Sequence, residues 1–429
     1  MKKNFIRYII IFFISIIFTL YFFEFYLLQK EKNLNTLKDQ EIKIRKKFDR
    51  RSTLEVYTFL KNKENVTVKY LPRLFLNKQN TSLFALSGVS STKTILCNED
   101  GFMSYYISDR YGFNNPDNEW EKLEKKKNIG EVEGGVGGGD INIIPYSKKK
   151  NQRDYNWDVE YVLLGDSFTH GFCVNRPKDI GSVLRKLSKK TVLNLGYGGN
   201  GTLLHYATFR EYVNFQAKNV LLFYYSNDFE DLNRELKNSI LLNYLNNKEF
   251  SQNLKRRQNE INLIIKTNIT KTFEEEQEQL IHKNKFKKKK NIFYKFLRLD
   301  KTKQLLKKSF FYLNYNKKIP FEEFKFIIND LNERTVTSGG NFYFIYLPSV
   351  SEYDQSSIIL KRRLNDRKKI IFSFLNSQNI RSIDIDREVF KNIKDPLSLF
   401  NVSLIHYNEK GYDLIAKAVH RKTRFNMAN

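Results

Sequence analysis

The fold is decided by the stretch YVLLGDSFTHG, which spans residues 161–171 of a 429-residue chain. Its first four residues form a short apolar run, as expected of a parallel strand that is buried on both faces. Glycine and small polar residues follow at once and indicate a sharp turn where the strand ends. Ser167 lies in this turn, where we expect a helix to begin. The stretch therefore predicts a strand–turn–helix unit with a hydroxyl at the turn.

The alternation of apolar runs with helical stretches continues toward the C-terminus. Strands are predicted at residues 191–195, 220–225, 342–347 and 380–385, and helices at about 177–189, 203–217, 361–375 and 408–420. Strands that alternate with helices form right-handed βαβ units and one parallel sheet covered on both faces. We therefore predict an α/β fold for this part of the chain.

The third and fourth predicted strands are separated by more than a loop. Residues 232–334 are polar, rich in lysine and biased toward helix, and they include a run of four lysines at 287–290. We interpret this segment as a helical insertion. A solvated surface is its default role, while a lid over the site and a contact with a membrane surface stay open.

The N-terminal segment is apolar. Residues 8–28 contain a single charged residue, Glu24, and match the length of about 20 residues that a helix needs to cross a membrane. The small-residue cleavage site of a signal peptide is missing, so we expect an uncleaved, single-pass anchor. Lysines after the span favour a cytoplasmic domain, but long domains translocate largely regardless of charge. We expect the catalytic domain to be extracytoplasmic.

The expected organisation has four parts. Residues 1–29 form the anchor and residues 30–60 a juxtamembrane helical stalk. Residues 61–154 form a mixed region that contains a glycine-rich loop at 134–139. This loop lacks the Lys-Ser/Thr that would follow a phosphate cradle, so we interpret it as a flexible surface loop. Residues 155–429 form the main domain, with the insertion at about 232–334.

Charge and cysteine content exclude some classes of function. The chain carries 74 basic against 47 acidic residues, a formal charge of +27, but the charge is spread along the whole sequence. We found none of the motifs that bind nucleic acid, so no nucleic-acid partner is expected. The two cysteines, Cys97 and Cys173, are compatible with one disulfide or with two buried thiols. Neither a metal-type spacing nor a cofactor motif is present, and the oligomeric state stays open.

Polar residues follow each predicted strand at its carboxyl end, the edge at which open parallel sheets bind ligands. Ser167 follows the first strand, Gly199 the second and Asn227 the third, and His406 precedes the last helix. A serine hydroxyl needs a base within hydrogen-bond reach, and imidazole titrates near neutrality. Backbone N–H groups of Ser167 and Gly199 and the Asn227 amide are candidate donors to an oxyanion. The constellation predicts acyl transfer.

These residues resemble the blocks of the SGNH/GDSL hydrolase family, in the family's order. The blocks are Gly165-Asp166-Ser167-Phe168, Asn194 through Gly199, Ser226-Asn227-Asp228 and Ser403-Leu404-Ile405-His406. The resemblance covers residues 158–418 without the insertion. It implies a flavodoxin-like three-layer α/β/α sandwich with a parallel sheet. It also implies activity as an esterase, lipase, polysaccharide deacetylase or O-acyltransferase, with Ser167 as nucleophile and His406 as base.

One departure from the family concerns the residue that orients the histidine. Ser403 stands where the family carries an aspartate, which orients and stabilises the imidazolium. A Ser–His dyad, Ser403 itself, or a carboxylate at Asp384 or Asp386 are the alternatives. His170, three residues after the nucleophile, is a rival base.

Two functions are therefore expected as alternatives. The first is a serine-dependent ester hydrolase or acyltransferase that acts on acyl esters of an envelope glycan or lipid. The second is a catalytically weak or inactive envelope protein that binds glycans or assists assembly. We also expect a disulfide between Cys97 and Cys173, which would tie the N-terminal region to the catalytic cleft.

Overall fold

The computed structural model describes residues 2–44, 49, 51–76, 83–99, 101–132, 157–285, 296–314, 319–354 and 358–425. The glycine-rich loop at 134–139 and the lysine run at 287–290 lie outside these ranges.

The strands form two sheets. Their bounds are β1 Val66–Val68, β2 Lys93–Cys97, β3 Ser104–Ile107, β4 Val159–Leu164, β5 Val192–Asn194, β6 Ala217–Tyr224, β7 Asn341–Tyr346 and β8 Ser382–Asp384. The large sheet has the order β5-β4-β6-β7-β8 with every pair parallel. This is the flavodoxin-like order 2-1-3-4-5. The predicted α/β class and the parallel sheet are confirmed.

The α-helices alternate with these strands. Their bounds are α1 Lys2–Ile44, α2 Thr53–Leu60, α3 Asn118–Val132, α4 Ser167–His170, α5 Ile180–Ser188, α6 Thr202–Tyr212, α7 Asp228–Glu235, α8 Ser239–Asn246, α9 Gln258–Lys285, α10 Asp300–Leu313, α11 Phe321–Thr337, α12 Ile358–Ser377, α13 Ile385–Glu388 and α14 Glu409–Phe425. Helices α5 and α14 pack together, and α6 packs with α11.

The sheet separates two apolar cores because successive side chains of a strand point to opposite faces. In β4, Val162 and Leu164 join one core, whereas Tyr161 and Leu163 join the other. All four residues are buried. The short apolar run that decided the fold is therefore covered on both faces, as predicted, and its carboxyl end opens at one edge of the sheet.

A smaller three-stranded sheet packs beside the large one. Strand β2 is parallel to β1 and antiparallel to β3. Its core is continuous with one core of the main domain. Buried amides also join the two parts, since Asn114 donates to the His170 carbonyl at 2.8 Å and Asn115 donates to the Asn194 carbonyl at 2.9 Å. These contacts place the small sheet next to the turn that contains Ser167.

The described parts of the segment between β6 and β7 are mostly helical. Helices α7, α8, α9 and α10 precede α11, which buries Phe324, Ile327, Ile328 and Leu331. Helix α11 packs on β7 and covers the sheet. The last part of the predicted insertion thus belongs to the layers of the α/β sandwich.

Helix α1 contains an apolar segment, Phe5–Lys32, with a mean hydropathy of 2.3. By length and composition it is long and apolar enough to cross a membrane, a property that signal sequences share. Its apolar side chains are mostly exposed in the folded chain. A helix that is apolar all round and unburied by protein is the pattern expected of a segment that lies in lipid.

Candidate active site

Ser167 is the first residue of α4, directly after β4. The preceding Asp166 caps this helix, and its carboxylate accepts the Phe168 N–H at 2.9 Å. Gly165 has φ of +154°, and a Cβ there would lie 2.1 Å from Thr169 Oγ1. Glycine is required at this position because the turn packs so closely on its own helix. The turn thereby presents the Ser167 hydroxyl at the carboxyl edge of the sheet.

His406 lies next to Ser167 in space, although 239 residues separate them in the chain. Its Nε2 is 2.9 Å from Ser167 Oγ. The imidazole is buried against two aromatic rings, with ring centres 4.9 Å from Phe168 and 5.2 Å from Phe172. The structure therefore brings together the predicted nucleophile and the predicted base at hydrogen-bond distance.

The other ring nitrogen of His406 faces a carboxylate from the N-terminal part of the chain. His406 Nδ1 lies 2.8 Å from Glu99 Oε2. A neutral imidazole protonated at Nδ1 donates to Glu99 and leaves Nε2 free to accept the Ser167 proton. Ser167, His406 and Glu99 thus have the spatial relationship of a serine–histidine–carboxylate triad.

Three contacts hold the Glu99 segment in place. Asn401 donates its side-chain N–H to the Glu99 carboxylate. Ser403 donates its hydroxyl to the Glu99 backbone carbonyl at 2.7 Å. Cys97, at the end of β2, is joined to Cys173 by a disulfide with a Cα–Cα distance of 5.3 Å. The bond ties the Glu99 segment to the chain just after α4.

The residues proposed from sequence to orient His406 lie elsewhere or act differently. Asp384 and Asp386 both bind the Lys368 ammonium, at 2.8 and 3.0 Å. They lie at the end of β8 and just after it, at the opposite edge of the sheet from β5, and both carboxylates are paired with this lysine. The Ser403 hydroxyl donates to the Glu99 backbone carbonyl and so supports Glu99. The orienting contact to His406 comes from Glu99.

The candidate oxyanion donors differ from one another in their surroundings. Gly199 has φ of +77° and is partly exposed beside the site. Asn227 precedes α7, and its amide donates to Asp231 Oδ2 at 2.6 Å. One of the two Asn227 N–H bonds is therefore already used within the protein. The Ser167 and Gly199 N–H groups remain as candidate donors, together with the second N–H of Asn227.

The His170 side chain is buried among aromatic residues. Its ring stacks on Tyr197 with centres 5.0 Å apart and meets the Tyr106 edge at 4.7 Å. Burial, followed by the positive charges of Lys69 and Arg176, lowers the pKa of His170 to about 3. A ring that stays neutral and is packed between aromatic residues acts as part of the core.

Electrostatics keep the Glu99 carboxylate ionised. Burial on its own acts to raise the pKa of Glu99. The hydrogen bonds from His406 and Asn401 and the nearby charges of His406 and Lys69 outweigh burial and hold this pKa below its usual value. An ionised carboxylate at Nδ1 stabilises the positive charge that His406 gains when it takes a proton.

Two buried carboxyl groups lie behind the nucleophile. Burial raises the pKa of Asp166 to about 6. The pKa of Asp228 is raised further by burial and then by the charge of Asp166. Two like charges at this depth are unfavourable, so burial and the neighbouring carboxylate both favour the protonated form of Asp228.

One group of side chains in the described part of the chain has the spacing of a metal site. It consists of Cys97, Glu99 and Cys173. The two sulfurs form the disulfide, and the carboxylate binds His406. These ligand atoms are therefore engaged with one another and with the imidazole.

Sequence reasoning missed Glu99. It lies outside the residues that resemble the hydrolase blocks, and 307 residues separate it from His406. The signal that could have pointed to it is the expected disulfide. A bond between Cys97 and Cys173 brings residue 99 near the turn of the nucleophile, and a carboxylate close to Cys97 could then reach His406.

The comparisons with known proteins concern the fold. No protein-family model matches the chain, and no curated protein matches its sequence. Similar solved structures include a lipolytic protein of the G-D-S-L family from Desulfitobacterium hafniense DCB-2, with a TM-score of 0.35 and 14% identity over 61% of this chain and 98% of that chain. A lipase/acylhydrolase from Enterococcus faecalis has a TM-score of 0.34 and 12% identity over 62% of this chain and 96% of that chain. A catalytic mutant of an acetylxylan esterase from Geobacillus stearothermophilus has a TM-score of 0.33 and 13% identity, over 62% and 94% of the two chains. At these identities each likeness is one of fold alone.

Proposed function

We propose that this chain is a membrane-anchored serine ester hydrolase or acyltransferase. The observation that supports this most directly is the pair of contacts made by His406, to Ser167 at 2.9 Å and to Glu99 at 2.8 Å. A serine, an imidazole and a carboxylate in this order are the equipment for nucleophilic acyl transfer.

The chemistry follows from the positions of these atoms. Ser167 Oγ attacks the ester carbonyl while His406 Nε2 takes its proton, and Glu99 stabilises the imidazolium. The N–H groups of Ser167 and Gly199 stabilise the oxyanion, with the Asn227 amide as a further donor. His406 then protonates the leaving alcohol, and an acyl group remains on Ser167. Water releases the acid, or an acceptor hydroxyl takes the acyl group and completes a transfer.

The anchor and the disulfide support an extracytoplasmic location. Disulfides persist mainly in oxidising compartments, and the Cys97–Cys173 bond lies beside the proposed catalytic residues. An enzyme held at a membrane suits an acylated envelope glycan or a lipid better than a diffusing metabolite. We therefore assign the substrate to acyl esters of the envelope.

The alternative, an inactive protein that binds glycans, was motivated by Ser403 in place of an aspartate. The Glu99 carboxylate contacts His406 Nδ1, which is the contact expected of this aspartate. The geometry thus favours the enzyme over the inactive protein.

A fluorophosphonate probe tests the proposal. The native protein should react covalently, and Ser167→Ala should not react and should lose turnover of short-chain p-nitrophenyl esters. Ser182→Ala, which removes a hydroxyl bonded to Asp179 instead, is the control for the loss of a serine. Wild-type turnover in a folded Ser167→Ala protein would show that Ser167 is not the nucleophile.

A further inference from the structure

Two cationic side chains of the N-terminal part lie beside the candidate active site. Lys69 Nζ lies 4.6 Å from the centre of the Phe172 ring, whose centre is 5.2 Å from that of His406. Arg73 belongs to a short 3-10 helix, Pro72–Phe75, and its Cδ lies 3.2 Å from the position that a Cβ on Gly199 would take. Both cations therefore reach residues that flank the reacting groups.

Within the described part of the chain, neither Lys69 nor Arg73 takes part in an ion pair. The carboxylate whose charge acts on Lys69 is Glu99. Burial, opposed by Glu99 and reinforced by Arg73, lowers the pKa of Lys69 to about 8, so the group remains mostly charged at neutral pH. Lys69 and Arg73 therefore place two positive charges beside residues that flank Ser167.

We propose that Lys69 and Arg73 form an anion-binding subsite, and that the acyl ester cleaved by this protein carries a carboxylate or phosphate close to the ester. The inference rests on the proposed ester chemistry at Ser167. A guanidinium pairs with carboxylates and phosphates through two parallel hydrogen bonds, while an ammonium acts as a point charge. Together they would orient an anionic substrate across Gly199 toward the nucleophile.

The test compares three acetyl esters of similar size. These are acetylated glucuronic acid, acetylated glucose 6-phosphate and acetylated methyl glucoside, which has no charge. The readout is the ratio of kcat/KM for each anionic ester to kcat/KM for the neutral ester. We expect Arg73→Gln and Lys69→Met each to lower this ratio about tenfold, as expected when one hydrogen bond to a charged group is lost. The exposed Lys61→Gln is the matched control.

Each outcome decides something. A lowered ratio for only one anion identifies its source as carboxylate or phosphate. If the ratio of anionic to neutral kcat/KM is unchanged in both variants, the subsite is overturned. This includes the case in which a variant loses turnover of the anionic and the neutral esters equally. If the native protein cleaves none of the esters and does not react with a fluorophosphonate, the proposed function fails with it.

A separate observation concerns Glu24, the single charged residue of the apolar run 8–28 in α1. Its side chain is buried and accepts hydrogen bonds from the N–H groups of Lys301 and Thr302, at 2.8 and 2.7 Å. It also accepts the Thr302 hydroxyl at 2.7 Å. These N–H groups belong to the first turn of α10, which has no partners for them within the helix. Glu24 therefore caps α10 and complements its dipole.

Further contacts fix α10 to the same part of α1. Tyr21 donates its hydroxyl to the Leu297 carbonyl at 3.1 Å, and its ring packs on Phe296. Lys301 forms an ion pair with Glu31 at 2.6 Å. Helix α10 thus meets α1 near the C-terminal end of the apolar segment, where a spanning helix leaves the membrane.

The surface of α10 is unusually apolar for a soluble helix. Four large apolar side chains are 40–72% exposed: Leu305, Leu306, Phe310 and Phe311. The lysines Lys303 and Lys307 are exposed on the same helix. Apolar and basic side chains on one exposed helix are typical of helices that lie in the interface of an anionic membrane.

We infer that α10 lies in the headgroup region of the leaflet from which α1 emerges. The inference rests on the proposed role of α1 as a span. The apolar side chains would enter the acyl region, and the lysines would contact anionic headgroups. The docked helix would hold the catalytic domain at a fixed orientation above the bilayer.

Tryptophan quenching by lipids brominated on their acyl chains tests this in the full chain reconstituted into vesicles. Phe310→Trp should be quenched, and Phe59→Trp, an exposed residue of α2, should not. Phe13→Trp within the apolar segment reports on the anchor itself. Quenching of Phe13→Trp without quenching of Phe310→Trp overturns the docking of α10. If Phe13→Trp is also unquenched, both the anchor and the docking are wrong.

Discussion

His406 and Glu99 lie 307 residues apart in the chain, yet His406 Nδ1 is 2.8 Å from Glu99 Oε2. The histidine belongs to the loop before the last helix, and the glutamate follows β2 of the small sheet. The small sheet therefore supplies a group to the site of the large one. This relationship makes the N-terminal part of the chain necessary for the proposed chemistry.

Replacing Glu99 by glutamine should lower kcat strongly while leaving the fold intact. Glutamine keeps the shape of the side chain but loses the charge that stabilises the imidazolium. In a comparable triad the same kind of change costs about 10⁴ in kcat, and we expect a loss of about 10²–10⁴. Steady-state hydrolysis of p-nitrophenyl acetate measures it. Glu64→Gln, an exposed carboxylate in an ion pair with Lys93, is the control. Unchanged kcat would mean that a Ser–His dyad suffices.

The pH dependence should identify His406 as the base. His406→Ala should abolish turnover at every pH. His170→Phe should keep the acidic limb of the pH–rate profile, because the pKa of His170, lowered by burial to about 3, lies below the range in which a base near neutrality titrates. Phenylalanine also preserves the aromatic packing on Tyr197 better than alanine. A greater loss of turnover in the His170 variant would exclude His406 as the base.

Reduction of the disulfide should destabilise the protein and weaken the triad together. The bond closes a loop with a sequence separation of 76 residues, which corresponds to about 4 kcal/mol of unfolding free energy on the chain-entropy model. Glu99 lies two residues after Cys97, so a loosened loop releases the carboxylate from His406. Thermal unfolding and kcat should be measured for the double variant Cys97→Ser, Cys173→Ser and for the reduced native protein. If kcat is retained while the melting temperature falls, the bond serves stability alone.

The sheet was predictable from the sequence because its signals are local. The run at 161–164 is apolar throughout since β4 is buried on both faces, and the glycines that follow β4 and β5 mark turns that only glycine can adopt. The order of the blocks also singled out Ser167 and His406, whose side chains lie 2.9 Å apart in the structure. Each of these sequence signals lies within a stretch of about ten residues.

The partner of His406 was not predictable in the same way. A glutamate in an otherwise irregular segment carries no pattern, and its role depends on how β2 packs beside β4. The aspartates considered instead, Asp384 and Asp386, follow a strand of the large sheet. They are engaged by Lys368, which lies on α12. What distinguishes Glu99 from these two aspartates is its distance to His406, which depends on how the two sheets pack together. A local sequence pattern does not encode that packing.

The buried pair behind the nucleophile should make stability fall as pH rises. Burial raises the pKa of Asp166 from 3.8 to about 6, and that of Asp228 is raised well above 3.8. The folded state therefore binds protons that the unfolded state has released, and the unfolding free energy decreases from about pH 4 upward. This loss continues until the pH passes the pKa values of the folded state.

Asp228→Asn should remove much of this dependence. Asparagine resembles the protonated carboxyl, and its oxygen can still accept the Tyr225 N–H that Asp228 accepts at 3.2 Å. We expect the variant to gain on the order of 1–3 kcal/mol over the native protein at pH 8, because the unfolded chain ionises Asp228 there while burial disfavours the ionised form in the folded chain. At pH 4 the gain should nearly vanish. Chemical denaturation at both pH values measures it, with Asp413→Asn, an exposed residue paired with Lys417, as control. An equal effect at pH 4 and pH 8 would show that Asp228 is ionised in the folded protein.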